Sequence, residues 1–180
     1  PAAAVGTASG VLAFCTLATA DAPTRSLSGQ AVVNVEVVSS VRAAHGQHLV
    51  SAVQMLGSEG QRAVSSGLDG LLRIWDCATA AELSQTITPH SRGVNDVASS
   101  PGDGARLLSC GDDGKVLLYD AGGPVGPSPV LAFEGHAAAA YSAAWVSPHL
   151  CVTGGFDRSA LLWDARAPPR PALRIGTRQH

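Results

Sequence analysis

The stretch AVSSGLDGLLRIWD at residues 63–76 decides the fold, because the chain contains versions of it three times. Its counterparts are LLSCGDDGKVLLYD at residues 107–120 and CVTGGFDRSALLWD at residues 151–164. The aspartates that end these segments are 44 residues apart in both steps. Self-similarity at a fixed period of this length is the sequence signature of a repeat architecture.

Other residues recur in the same phase. An aspartate inside each segment follows a serine or threonine by four positions, and a histidine precedes each segment. A fourth histidine ends the chain, so that the histidines follow one another at steps of 45, 46 and 44 residues. Chance does not keep this phase across several residue types, so the repeat is real. The recurring residues are Ser65, Ser109 and Thr153; Asp69, Asp113 and Asp157; and His45, His90, His136 and His180.

Each repeated unit alternates strand and turn signals. In the first unit, short β-type runs occupy residues 50–55, 62–66 and 71–75, and a more polar run at 81–87 suits an outer strand. Glycine and serine separate the first two runs, and the pair Asp69–Gly70 separates the next two. The composition agrees, since 20 glycines and 11 prolines imply many turns and disfavour a helical bundle.

Four short antiparallel strands that close on Trp-Asp resemble the blade of a WD-repeat β-propeller. Residues 45–180 are similar to three consecutive WD repeats, at 45–89, 90–135 and 136–180, of which the last ends at the start of a further blade. The resemblance implies an all-β fold with three clear four-stranded blades and a degenerate partial blade at 1–44. Propellers have about four to eight blades, so we expect a fragment of a six- to eight-bladed ring.

The resemblance also implies a structural role for the recurring residues. In the family, a tetrad joins a histidine before the blade, a hydroxyl on its second strand, an aspartate in the next turn and a tryptophan on the third strand. Such a buried polar network makes a blade rigid only when every member has its partner. In the second repeat, a tyrosine stands where tryptophan is expected. The implied tetrads are His45, Ser65, Asp69 and Trp75; His90, Ser109, Asp113 and Tyr119; and His136, Thr153, Asp157 and Trp163.

The first 44 residues are less regular. Residues 4–15 resemble the second and third strands of a blade, with Thr7 in the hydroxyl position and Phe14 near the aromatic one, although the turn aspartate is missing. Residues 31–38 would then form the outer strand. At the other end of the chain, residues 172–175 stand where the outer strand of the last blade belongs.

Enzymatic and metal-binding alternatives are weaker. Serine, histidine and aspartate can form a hydrolase triad, but a triad occurs once and this set occurs three times in phase. The stretch GDDGK at 111–115 lacks the first glycine of a phosphate-binding loop and the Ser or Thr after its lysine. His45 and His48 have no third ligand nearby in sequence. We therefore predict a protein that is not an enzyme and that uses no cofactor or metal.

Composition excludes further classes. The net charge is −2 and the hydrophobic fraction is 46%, which fits neither a basic nucleic-acid binder nor a disordered chain. Arg166, Arg170, Arg174 and Arg178 are spaced as on a helical stripe, but prolines between them exclude a helix. No apolar stretch reaches the ~18 residues of a membrane span. We therefore expect neither nucleic-acid nor membrane partners.

The cysteines and the N-terminus bear on localisation. Cys15, Cys77, Cys110 and Cys151 form neither a CxxC pair nor a zinc-ligand spacing, which suits reduced, buried thiols of an intracellular protein. No charged leader of a signal peptide opens the chain, and no initiator methionine does either. We expect a piece of a larger protein that resides in the cytoplasm, the nucleus or both.

Finer resemblances within the family suggest a partner for a protein–protein interaction scaffold. Residues 50–76 and 94–110 are similar to methylosome-type WD-repeat subunits, which hold a type II protein arginine methyltransferase and help to present its substrates. As an alternative, residues 154–166 end in Trp-Asp-x-Arg, the pattern of substrate receptors of cullin-4 ubiquitin ligases. In those receptors the arginine contacts the ubiquitin-ligase adaptor, which would make Asp164 and Arg166 the partner-docking residues here.

Overall fold

The computed structural model describes the chain at residues 2–7, 11–18, 34–57, 60–85, 90–102, 106–121, 129–167 and 169–176. Within these ranges the secondary structure consists of strands joined by turns, which confirms the all-β expectation. None of the described segments forms a helix that could cross a membrane.

Three four-stranded antiparallel sheets, here called blades 1 to 3, follow one another along the chain, and within each the strands neighbour one another in sequence order. A three-stranded sheet precedes them, with β1 (Ala2–Gly6), β2 (Leu12–Ala18) and β3 (Asn34–Val41). Blade 1 contains β4 (Val50–Leu56), β5 (Arg62–Gly67), β6 (Leu72–Asp76) and β7 (Glu82–Gln85). Blade 2 contains β8 (Val94–Ser99), β9 (Arg106–Gly111), β10 (Val116–Asp120) and β11 (Leu131–Phe133). Blade 3 contains β12 (Ala140–Trp145), β13 (Leu150–Gly155), β14 (Ser159–Asp164) and β15 (Leu173–Gly176).

The hydrophobic clusters lie between neighbouring sheets. Blades 1 and 2 share a cluster that includes Val64, Ile74, Val97 and Leu117, all nearly or completely buried. Blades 2 and 3 share another, in which the Phe133 and Trp163 rings lie 5.0 Å apart. A third cluster joins the first sheet to blade 1. Alternating strand residues point to opposite sides of a sheet, so blades 1 and 2 each contribute to two clusters.

Polar contacts join the innermost strands of neighbouring blades. The Ser51 hydroxyl donates to the Val94 carbonyl at 2.6 Å, which links blade 1 to blade 2. The Ala143 amide donates to the Asp96 carboxylate at 2.9 Å, which links blade 3 to blade 2. These bonds pair polar groups that would otherwise be buried between the sheets without a hydrogen-bond partner. They also fix the position of each inner strand against the next.

Turns between the second and third strands depend on glycine in two places. Gly70 and Gly114 have φ angles of +84° and +75°, a region that only glycine adopts without strain. A side chain there would also lie 3.0 Å from a carbonyl of the following blade, that of Arg92 or that of Ala138. The Asp-Gly pairs therefore allow each turn to approach the loop that enters the next blade.

The first sheet has the register of the second, third and outer strands of a blade. Strand β1 packs on β4 as β5 packs on β8. Phe14 is paired with Ala4 and is buried, as Trp75 is paired with Ala63, so the expected aromatic position of Phe14 is confirmed. The same register places Gly6, and not Thr7, where blade 1 has its tetrad serine.

The expectation for Thr7 is wrong because the hairpin between β1 and β2 is two residues shorter than its counterpart in blade 1. Five residues separate the paired positions Gly6 and Leu12, whereas seven separate the paired positions Ser65 and Arg73. The Thr7 hydroxyl instead accepts the Val11 amide at 3.0 Å and helps to close this shorter turn.

All four cysteines of the chain are free thiols and are buried. Burial raises the pKa of the Cys77 thiol to about 11 and those of Cys110 and Cys151 to about 12. These three thiols therefore remain protonated at neutral pH and pack as small apolar side chains.

Candidate functional site

The blade 1 tetrad residues form one buried hydrogen-bonded chain. His45 Nδ1 lies 2.8 Å from Asp69 Oδ1, and its Nε2 lies 2.7 Å from Ser65 Oγ. The Trp75 indole N–H donates to the same serine oxygen at 2.8 Å. The turn after β5 supplies the aspartate, the loop before β4 supplies the histidine, and β5 and β6 supply the serine and the tryptophan.

Blade 3 repeats this geometry with threonine as the hydroxyl residue. His136 Nδ1 lies 3.1 Å from Asp157 Oδ1, and its Nε2 lies 2.8 Å from Thr153 Oγ1. The Trp163 indole donates to Thr153 Oγ1 at 2.8 Å. Asp157 also accepts the backbone amides of Ala137 and of the residue that begins β14, so it ties the turn to the loop beside it.

Blade 2 has the same first three members and a looser closure. His90 Nδ1 lies 2.8 Å from Asp113 Oδ1, and its Nε2 lies 2.8 Å from Ser109 Oγ. Ser109 Oγ donates to Tyr119 Oη at 3.5 Å, the upper limit of a hydrogen bond. Because a hydroxyl has one proton, Ser109 can donate either to the imidazole or to the phenol.

Protonation states follow from burial and from these bonds. Burial lowers the pKa of His45 and that of His90, although their aspartate partners act in the opposite direction. Burial alone would raise the pKa of Asp69 and of Asp113, but hydrogen bonds from Arg73 and His45 and from His90, respectively, hold both below the usual value. His45 and His90 are therefore neutral at pH 7, and each can donate from Nδ1 to the carboxylate of its aspartate.

The geometry of the tetrads does not suit nucleophilic catalysis. The Ser65 and Ser109 hydroxyl groups are completely buried and Thr153 is 1% exposed. A nucleophile must reach a substrate atom at about 3 Å, and these oxygens face only blade interior. What the arrangement does chemically is to fix a turn and a loop at one edge of each blade.

Two arginines to which sequence analysis gave no part in the tetrads contact the tetrad carboxylates. Arg73 Nη1 lies 2.7 Å from Asp69 Oδ2, and its side chain is only 14% exposed. Arg174 Nη1 lies 3.7 Å from Asp157 Oδ2 and is 47% exposed. The position of Arg73, four residues after Asp69, could have indicated its ion pair from the sequence. Arg174 lies on the outer strand, far from Asp157 in sequence, so no local pattern indicates its contact.

Asp164 and Arg166, the candidate docking residues, form a bidentate ion pair at the end of β14. Arg166 Nε and Nη2 lie 3.0 and 2.9 Å from the two Asp164 oxygens, and 61% of the arginine side chain is exposed. This pairing lowers the pKa of Asp164 to about 2. Arg166 lines a cavity of about 650 Å³ between blades 2 and 3, together with Arg106 and Val130.

The other singled-out motifs lie in ordinary structural positions. GDDGK forms the turn between β9 and β10, where Asp113 bonds to His90. Among the described residues there is no cluster of His, Cys, Asp or Glu that could hold a metal ion. Arg166 and Arg170 lie in turns and Arg174 in β15, so they do not form a helical stripe; Arg178 and His180 lie outside the described residues.

Residues 36–76, 81–120 and 127–164 match the family described as "WD domain, G-beta repeat". The first match begins two residues inside the outer strand β3, and the other two begin before β7 and β11; each ends at the Trp-Asp or Tyr-Asp position of the next blade. The matches therefore include all four strand positions, although they divide the chain at points other than the blade boundaries.

Three curated relatives illustrate the range within the family. The Xenopus laevis "Methylosome protein WDR77" is 43% identical over 67 residues, which cover 37% of this chain and 20% of that protein. The Chlamydomonas reinhardtii "Ribosome biogenesis protein WDR12 homolog" is 30% identical over 164 residues, covering 73% and 36%. The Laccaria bicolor "Ribosome biogenesis protein YTM1" is 31% identical over 124 residues, covering 66% and 26%.

The chain thus spans between 20% and 36% of the length of these relatives. Proteins built from these repeats are typically non-catalytic scaffolds that bind other proteins. Since the matched segments cover most of the chain and its strands form blades in the same order each time, the chain belongs to the WD-repeat family.

Proposed function

We propose that this chain is part of a non-catalytic scaffold that holds a type II protein arginine methyltransferase and helps to present substrates to it. The observation that carries the proposal is the 43% identity to the Xenopus laevis methylosome protein, higher than the 30% and 31% of the two ribosome biogenesis relatives. The rigid tetrads support a scaffold role, because they hold turns and loops at a blade edge where a partner can contact them. Such a protein would reside in the cytoplasm, the nucleus or both.

Ribosome assembly is a second candidate. The Chlamydomonas reinhardtii relative matches 73% of this chain, about twice the share matched by the methylosome protein. A long match at lower identity is what the shared blade consensus produces across the family, so we rank this function below the first.

Docking to a cullin-4 ligase adaptor is a third candidate. It is favoured by the exposed Arg166 side chain, which Asp164 holds in a fixed orientation beside a cavity. The third strand ends in Asp76 in blade 1, followed by Cys77-Ala78, and in Asp120 in blade 2, followed by Ala121-Gly122, so blade 3 alone among the three has this arginine.

Affinity purification of the full-length protein distinguishes these functions. We expect the arginine methyltransferase to co-purify with the wild type and with Arg166→Ala alike, because Arg166 belongs to a different mode of docking. The matched control is Arg170→Ala, which removes a second exposed arginine close by. Mass spectrometry identifies what is captured, and quantitative immunoblotting compares the variants.

Two results would reject the methyltransferase proposal. Recovery of ribosome assembly factors in its place would favour the second candidate. Recovery of a ubiquitin-ligase adaptor that is lost in Arg166→Ala and retained in Arg170→Ala would favour the third.

A further inference from the structure

Equivalent residues in the three blades stand side by side at the edge that carries the tetrad turns. Each inner strand has a bulge directly after its first residue, at Ser51, Asn95 and Tyr141. A bulge bends a strand and redirects the side chain that it inserts. The residue that follows the second strand of each blade, Leu68, Asp112 or Phe156, lies at the same edge, since each donates its amide to the loop before the inner strand.

Contacts join five of these residues into a continuous row across the three blades. A side chain on Gly93 would meet Leu68 Cδ2 at 3.0 Å and Asp112 Oδ2 at 3.5 Å, so these two groups flank the same glycine. Asn95 Nδ2 donates to Asp112 Oδ1 at 2.8 Å and to the Ala140 carbonyl at 3.0 Å, next to Tyr141. We call this row the turn-face arc: Leu68, Asp112, Asn95, Tyr141 and Phe156.

The aromatic end of the turn-face arc is exposed. Phe156 is 74% exposed and Tyr141 is 53% exposed, yet their rings contact each other edge to face with centroids 6.2 Å apart. Leu68, at the other end, is 38% exposed. Burial of these side chains contributes little to the fold, whereas aromatic residues with large exposed faces are enriched where proteins bind one another.

The charged group of the arc has no cationic partner in the part of the chain that the structure describes. No arginine, lysine or histidine nitrogen there lies within 4.0 Å of the Asp112 carboxylate. Asn95 occupies one of its oxygens and holds the group in place. The arc thus presents a fixed carboxylate between Leu68 and an exposed aromatic pair.

Neighbouring cations limit what can bind. Arg92 lines the same groove as Asp112, and Lys115 and Arg158 belong to the same strand-connecting turns as Asp112 and Phe156. A polybasic segment would be repelled by these three charges. A single cation fits, provided that the residues beside it are neutral or acidic.

We propose that the turn-face arc binds one arginine side chain of a partner protein, in a segment whose flanking residues are neutral or acidic. The guanidinium plane stacks on the Tyr141–Phe156 pair and donates to Asp112, which combines a cation–π contact with a charge-assisted hydrogen bond. An apolar residue next to the arginine contacts Leu68. The proposal does not depend on which enzyme, if any, the scaffold holds.

Binding of short biotinylated peptides to the full-length protein tests this. The first probe carries one arginine between leucines with serine and glutamate around them; in the second, citrulline replaces arginine and removes only the charge. We expect the arginine probe to bind about tenfold tighter, the scale of one cation–π contact with an ion pair. In Asp112→Asn this preference should fall below about twofold, and Phe156→Ala should weaken the arginine probe about fivefold.

Matched controls change similar groups at the opposite edge of the blades. Asp120→Asn removes a charge at the far end of β10, and Val146→Ala removes an exposed apolar side chain beyond the far end of β12; both should bind the arginine probe as the wild type does. Equal binding of arginine and citrulline probes, an undiminished preference in Asp112→Asn, or tighter binding when the serines are replaced by lysines would each overturn the proposal. Unchanged thermal melts show that the exposed substitutions leave the fold intact.

Discussion

Blades 2 and 3 share a histidine, a hydroxyl and an aspartate but end their tetrads with different aromatic residues. In blade 3, the Trp163 N–H reaches the hydroxyl at 2.8 Å; in blade 2, Ser109 and the Tyr119 oxygen are 3.5 Å apart. The histidine lies 2.8 Å from its hydroxyl partner in both. The difference shows that the histidine contacts do not require tryptophan and that the aromatic residue closes a network already in place.

Tyrosine serves blade 2 mainly as an apolar side chain. Tyr119 is 2% exposed and belongs to the cluster between blades 1 and 2. Burial raises the pKa of its phenol, which therefore stays neutral. The blade retains its packing while the hydrogen bond to Ser109 is long, so the two contributions of the aromatic position are separable.

Loss of the tetrad aspartate should have the largest effect and should be alike in the two blades. Asp157→Ala leaves the His136 ring and the Ala137 amide without their acceptor, and Asp113→Ala does the same to His90 and the Ser91 amide. An unpaired buried histidine costs about 1–3 kcal/mol, and the exposed amide adds a smaller loss, so we expect each variant to lose about 3 kcal/mol of unfolding free energy in denaturant titrations.

Glu134→Ala, at an exposed position after β11, is the control and should cost less than about 1 kcal/mol. Wild-type stability in both tetrad variants would mean that the aspartates are not structural anchors.

Removal of the aromatic polar group should separate the blades. Trp163→Phe deletes a 2.8 Å hydrogen bond and part of a fully buried ring, for an expected cost of about 2 kcal/mol. Tyr119→Phe deletes only the oxygen of a 3.5 Å contact and should cost less than about 1 kcal/mol. Thermal and chemical unfolding of the two variants measures the difference; equal losses would show that the long bond in blade 2 is as strong as the short one.

Acidification tests the buried histidines. The pKa values of His45 and His90 are lowered by burial, so below about pH 6.5 the unfolded chain takes up protons that the folded chain does not. Stability is then fully present above that pH and decreases as the pH falls toward the lowered folded values. Each such histidine contributes at most about 1.4 kcal/mol per pH unit.

Denaturant titrations between pH 7 and pH 5 measure this slope, which should become shallower in His90→Gln. His149→Gln, at an exposed position outside the tetrads, is the comparison variant. A slope that His90→Gln leaves unchanged would contradict a neutral, buried imidazole in blade 2.

Sequence patterns predicted those features that recur. Histidine, hydroxyl, aspartate and Trp-Asp positions repeat because every blade needs them, and the β-type runs and turn residues between them placed the strands of blade 1 within a few residues of the observed ones. Thr7 was misplaced because the β1–β2 hairpin is two residues shorter than its counterpart between paired positions. Because residues 4–15 lack the turn aspartate, the sequence does not indicate the length of this hairpin.

The turn-face arc could not be predicted in the same way. Leu68, Asp112 and Phe156 occupy the same position of the repeat but differ in chemical type, so a search for recurring residues does not detect them. Only the structure shows that Asn95 bonds to both Asp112 and Ala140 and so connects the row. In a repeat protein, the residues that break the pattern at a fixed exposed position are the ones to examine for binding.

The offset between the family matches and the blades bears on how such chains grow by gene duplication. Each matched segment includes the outer strand of one sheet and the three inner strands of the next, as β3 pairs with β2 while β4, β5 and β6 form the following blade. A duplicated segment is therefore joined to its neighbours by strand pairing. Its first strand completes the preceding sheet as the outer strand, and its last strand pairs with the first strand of the next copy. Ancestral arrays could lengthen one unit at a time in this way, with every junction held by strand pairing from the moment it was copied.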